Sequence, residues 1–252
     1  MSEGETGRAR PPIPVSVLTG FLGSGKTTLL NRLLTDEALS DTAVIINEFG
    51  EIGLDHLLVE TADEGIVELS SGCLCCTIRG DLINTLEGLL RKRDNGRIKP
   101  FNRVVIETTG LADPAPVLHT IMAHPYLVLR YRLDGVVATV DAVNGAATLD
   151  AHTESVKQAA VADRIVLTKT DILDGDTGKA ALGDLKQRLS ALNPAAPLLD
   201  AAQGAATPEK LFEAGFYNPA TQHPDVARWL KEEAYGADQA HGHDHAHHDV
   251  NR

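Results

Sequence analysis

Cysteine is scarce in this chain of 252 residues, and the three present, Cys73, Cys75 and Cys76, crowd into four positions. Three thiols cannot pair evenly, and their crowding argues against a structural disulfide; reduced thiolates acting as ligands or nucleophiles fit better. Long apolar runs are also missing. No segment approaches 18 consecutive apolar residues, so no membrane span is expected. The N-terminus, Met1 to Arg8, lacks the charged-then-apolar order of a secretory signal, which makes a cytoplasmic location the expectation. Basic runs are absent too. A formal net charge of -12 excludes nucleic-acid binding through a broad basic face. There is no internal repeat.

What remains is 43% apolar and 23% charged, enough for one α/β domain with tails. Residues 1–12 are polar, end in Pro11-Pro12, and read as a flexible arm. Short β-branched runs then alternate with helical patterns. Strands are expected at Ile13–Thr19, Ala43–Asn47, Gly65–Leu69, Val104–Ile106, Gly135–Val140 and Arg164–Leu167. Helices are expected at Lys26–Thr35, Asp81–Arg93, Pro114–Met122 and Gly178–Leu192. This alternation predicts a phosphate-loop α/β fold over 13–236, a mostly parallel sheet covered by helices on both faces. Residues 237–252 hold His241, His243, His245, His247 and His248 and no apolar side chain larger than alanine apart from Val250, so they are expected to be a disordered tail.

The pattern G-x-x-x-x-G-K-[ST] is met by Gly20, Gly25, Lys26 and Thr27, between a strand and a helix. Its backbone N–H groups would turn around phosphate oxygens, with Lys26 reaching the β- and γ-phosphates and Thr27 holding Mg²⁺. Gly23, Ser24 and Thr28 complete the candidate nucleotide-binding loop. A second element, Thr168-Lys169-Thr170-Asp171, follows a later strand. There Asp171 can accept from N1–H and the 2-amino group of guanine, donors that adenine lacks. The lysine stem can lie over the base plane. Thr168 stands where asparagine is usual. A third element is Glu107-Thr108-Thr109-Gly110: the acid would hold Mg²⁺, and the Gly110 amide would meet the γ-phosphate. The loop Asn47 to Asp55 suits a nucleotide-dependent switch, and Glu48 joins Lys26, Glu107 and Gly110 as a candidate catalytic residue.

Thiolates suit Zn²⁺ and similar soft or borderline ions. In an extended strand Cys73 and Cys75 would face one side and Cys76 the other; in a helix Cys73 and Cys76 would be neighbours. A three-thiolate site therefore needs a turn, and Ser70-Ser71-Gly72 supplies one, close to a helix start. Three protein ligands leave one tetrahedral position open for exchange. The histidine tail reads as a weak metal-collecting arm.

Taken together, these motifs resemble the CobW-type GTPases, the G3E family of metallochaperones. The matching residues are Gly20–Thr28, Asn47-Glu48-Phe49-Gly50-Glu51, Gly72-Cys73-Leu74-Cys75-Cys76, Glu107 to Pro114, and Thr168-Lys169-Thr170-Asp171. The resemblance spans about residues 13–235. It implies a GTPase in which the C-x-C-C motif binds Zn²⁺ or Co²⁺ and GTP hydrolysis is coupled to metal loading and release toward a client metalloprotein. It also implies a smaller β-rich domain after the histidine-rich linker. The sequence stops at Arg252, so that domain is expected to be absent. Two other functions compete: a metal buffer with vestigial nucleotide binding, and a phosphate-loop kinase of small molecules. Asp171 and the cysteine cluster argue against the kinase.

Overall fold

A computed structural model describes residues 11–46, 66–68, 75–212, 217–219, 223 and 225–232; the side chains of 66–68 and 75–81 are outside that description. The described strands are β1 Ile13–Gly20, β2 Thr42–Ile46, β3 Ile66–Glu68, β4 Arg103–Glu107, β5 Tyr131–Asp141, β6 Arg164–Thr168 and β7 Leu198–Asp200. They form one sheet in the order β3-β2-β4-β1-β5-β6-β7, and every described pairing is parallel. The order reverses around β1, which lies between β4 and β5. Such a switch point opens a crevice at the carboxyl ends of the strands.

The strands are apolar because both faces are covered. On one face Val15, Val17, Ile45 and Ile106 pack against Leu82, Leu86 and Leu90 of α2 (Cys75–Asp94) and Leu118 and Ile121 of α3 (Ala115–Ala123). The short α4 (Leu127–Arg130) leads into β5. Farther along that face Val140, Ile165 and Leu167 meet α5 (Gly145–Ala151), α6 (Thr153–Ala160) and Leu185 and Leu189 of α7 (Gly175–Leu192). On the opposite face Leu29, Leu30 and Leu33 of α1 (Lys26–Leu34) cover Leu18, Val44 and Val105 with Leu211 of α8 (Pro208–Leu211). Residues 225–232 form a further helix, α9, whose Val226 and Leu230 join the first core.

Several boundaries differ from the sequence expectation. β5 starts four residues before Gly135 because Asp134, which interrupts the apolar run, is paired inside the fold with Arg103 (3.1 Å) and Arg132 (3.0 Å). α2 starts at Cys75 rather than Asp81, passing through Gly80. α7 starts at Gly175 rather than Gly178, with Asp174 as its N-cap residue. Among the described residues no helix is long and apolar enough to cross a membrane.

Candidate nucleotide and metal site

The glycine-rich loop joins the carboxyl end of β1 to the N-terminus of α1, with Gly25 as N-cap residue. The first amides of α1 have no partner within the helix and make that end an anion site. Lys26 is buried, and its Nζ donates to the Gly20 carbonyl (2.9 Å) and the Phe21 carbonyl (3.2 Å), spanning the loop from inside. Gly20 has φ of 141°, and a Cβ there would lie 2.3 Å from Thr139 Oγ1 and 2.5 Å from the Thr139 carbonyl oxygen. Two threonines pin the loop to the neighbouring strands. Ser24 Oγ and Thr139 Oγ1 share a 2.6 Å hydrogen bond, and Thr168 Oγ1 donates to the Ser24 carbonyl at 2.7 Å.

At the end of β4, Glu107 is buried and accepts a 2.6 Å hydrogen bond from Thr27 Oγ1. Two hard oxygen donors, separated by 80 residues in sequence, thus converge at the start of α1. The next residues run against the phosphate loop. Thr108 Oγ1 donates to Thr19 Oγ1 at 2.9 Å, and a Cβ on Gly110 would lie 2.6 Å from the backbone nitrogen of Leu22. Only glycine lets the two loops approach this closely.

Beyond β6, Lys169 takes a left-handed conformation with φ of 58°. Its Nζ donates to Asp141 Oδ2 at 2.8 Å, which fixes the lysine stem against the end of β5. Burial alone would raise the pKa of Asp141. Hydrogen bonds from Lys169, the Asn144 side chain and the amides of Val143 and Asn144 outweigh it and hold the carboxyl below its usual range. Exposed Asp171 lines a cleft of about 440 Å³ together with Gly25, Thr28, Arg32, Thr168 and Lys169. The cleft therefore runs from the phosphate loop to the Thr168–Asp171 segment.

The far wall of the cleft was not foreseen from the sequence. Ala201 and Ala202, just past β7, line it. Asp200 Oδ1 accepts from Thr170 Oγ1 (2.6 Å) and the Ala202 amide (3.0 Å), joining this turn to the Thr168–Asp171 motif. Arg32 of α1 donates to the carbonyls of Ala201 (2.9 Å) and Ala206 (3.0 Å). Asp200, Ala201 and Ala202 lie far from the motifs in sequence, and neither they nor Arg32 carry a local signature. Asp141, three residues before an asparagine at a strand end, is the one that a turn search could have found.

Glu48, Cys73 and His241, His243, His245, His247 and His248 fall outside the described residues. Cys75 and Cys76 open α2, and their side chains are not described. α2 follows β3 in a parallel sheet, so its start lies at the same carboxyl edge as the loops after β1, β4 and β6. Among the described residues no group of three His, Cys, Asp or Glu could hold a metal ion.

This arrangement has counterparts. The family model described as "CobW/HypB/UreG, nucleotide-binding domain" matches residues 14–200. The chain belongs to the CobW/HypB/UreG family. It is 44% identical over 193 residues to the zinc chaperone YjiA of Escherichia coli (strain K12), covering 77% of this chain and 58% of that protein. It is 36% identical over 200 residues to the zinc-regulated GTPase metalloprotein activator 1 of Schizosaccharomyces pombe, covering 77% of this chain and 46% of that one. The crystal structure of Zn(II)-bound YjiA GTPase from E. coli superposes with a TM-score of 0.63 at 37% identity, covering 82% of this chain and 63% of that chain. The chain thus spans about half the length of these curated relatives.

Proposed function

We propose that this chain is the nucleotide-binding unit of a GTP-hydrolysing metallochaperone, which binds GTP with Mg²⁺ and takes Zn²⁺ or Co²⁺ as cargo on Cys73, Cys75 and Cys76. The observation that carries the reading is the 2.6 Å hydrogen bond from Thr27 to Glu107, made by the same phosphate loop whose Gly25 and Thr28 line the cleft that reaches Asp171. Hydroxyl and carboxylate oxygens are the donors that Mg²⁺ prefers, so Thr27 and Glu107 fit it, directly or through water. Bound there, Mg²⁺ would neutralise charge on the phosphates.

The chain's own residues do the rest. Lys26 carries a buried positive charge to the β- and γ-phosphates. The α1 amides and those of Gly23, Ser24 and Gly25 cradle the phosphate oxygens. Asp171 accepts from the guanine edge, and Lys169, tethered by Asp141, lies along the base. The Gly110 amide reports the γ-phosphate, and Glu48 is a candidate catalytic residue. Hydrolysis removes that phosphate and with it the support of both loops. Since the cysteine segment ends at the same edge of the sheet, its ligand geometry follows the nucleotide. The proposed unit is 13–236, and the packing of Val226 and Leu230 into the core supports including α9 in it; His241, His243, His245, His247 and His248 would collect metal weakly. The recipient is a client metalloprotein, and neither nucleic acid nor membrane is a partner.

Steady-state hydrolysis of GTP and ATP by the chain and by Lys26→Ala tests this. GTP should be turned over, ATP at least tenfold less efficiently, and Lys26→Ala should lose about 10²-fold or more. Zinc binding without hydrolysis of either triphosphate would favour the metal buffer instead.

A further inference from the structure

The loop after β4 is held from behind by α6. Gln158 is 1% exposed, and its Nε2 donates to the carbonyls of Gly110 (3.2 Å) and Ala112 (3.0 Å). The two acceptor carbonyls fix which end of the amide faces the loop, since the reversed amide would set oxygen against oxygen. One residue earlier, Lys157 pairs with Asp113, which itself accepts from the Ala115 amide (2.9 Å) at the start of α3. His152, the N-cap residue of α6, stacks on Phe21 of the phosphate loop at 4.4 Å between ring centroids. Lys157 also lies 5.5 Å from the centre of the Trp229 ring on α9. On its other side the loop touches the phosphate loop through Gly110 and Leu22. Residues 110–113 are therefore clamped between two elements, and α6 grips both the loop and Phe21.

From this geometry we infer that Gln158 and Lys157 are positioning residues for hydrolysis: they set the height of the Gly110 amide against the γ-phosphate. This inference rests on the reading of Gly110 as the group that meets the γ-phosphate. Neither side chain lines the cleft that ends at Asp171; Gln158 borders a separate cavity of about 250 Å³ on the Phe21–Ser24 side of the phosphate loop. Their loss should leave GDP binding alone and weaken what depends on the third phosphate. Each hydrogen bond of this kind is a modest net contribution, so the effect should be about tenfold and not total.

The test compares affinities for GDP and for a non-hydrolysable GTP analogue, with GTP turnover, in Gln158→Met, Gln158→Asn, Lys157→Met and Gly110→Ala. The ratio of the two affinities does not depend on the fraction of folded protein, so it separates positioning from general damage. Gln158→Met should lower the analogue-to-GDP preference and kcat about tenfold with GDP affinity within twofold, and Gln158→Asn should recover part of the loss. Lys157 is at the surface, with 31% of its side chain exposed, and decides the matter should Gln158→Met fail to fold. If Gly110→Ala loses the preference while Gln158→Met and Lys157→Met keep it, the clamp is refuted. If Gly110→Ala also keeps it, the role of Gly110 itself is refuted.

Discussion

At Asp171 one exposed carboxylate closes a cleft that starts at Gly25. Replacing it by asparagine trades an acceptor for a donor, which suits the 2-carbonyl of xanthine and opposes the 2-amino group of guanine. Asp171→Asn should weaken GTP binding about 10²-fold and improve XTP binding, read by competition titration. At Gly20 the constraint is steric. A methyl group would press on Thr139 from 2.3 Å at a backbone angle that alanine avoids, so Gly20→Ala should cost about 2–4 kcal/mol in urea unfolding and impair nucleotide binding with it. Asp141 acts through charge. Its folded pKa is depressed, so its contribution is complete at neutral pH and disappears as pH falls through and below the ordinary carboxylate range. The stability difference between the parent and Asp141→Asn should therefore be constant from pH 6 to 8 and shrink in acid below about pH 4.

Among the elements, β5 shows how a polar residue can hide a strand. Asp134 is 1% exposed and sits between Arg103 and Arg132. Asp134→Ala should lower stability by about 3–5 kcal/mol in urea denaturation, because it removes a buried carboxylate that pairs with both Arg103 and Arg132. The same pairing explains why the sequence places the start of this strand only at Gly135. The elements legible in the sequence are those with dense apolar periodicity: β1, β2, β3, β4, β6, α1, α3 and the body of α2 and α7. Those not foreseen are short or small-residue elements: α4, α5, α6, α8, α9 and the three-residue β7. Their residues, such as Ala159 and Ala160 of α6, are buried because of what lies above them and carry little hydrophobic signal of their own. The site divides the same way. The phosphate loop is a local motif, and its residues stand where the spacing puts them. Asp141 and Asp200 enter only because the parallel sheet brings distant strand ends together, Gln158 because α6 packs behind the loop after β4, and Arg32 because α1 faces the turn after β7.

For the whole molecule, the all-parallel order of the described strands gathers the loops after β1, β4 and β6 and the start of α2 at one edge. A metal on the cysteine segment and a nucleotide on the phosphate loop, as proposed above, would meet at that edge. If GTP tightens metal binding, metal must tighten GTP by the same factor. The most direct measurement is zinc titration of the protein loaded with a non-hydrolysable GTP analogue and with GDP, using Cys75→Ser as control. The two zinc affinities should differ by about tenfold or more, a coupling of about 1.4 kcal/mol, and the difference should be gone in Cys75→Ser. Equal zinc affinity in the two nucleotide states, with Cys75 intact, would contradict the coupling.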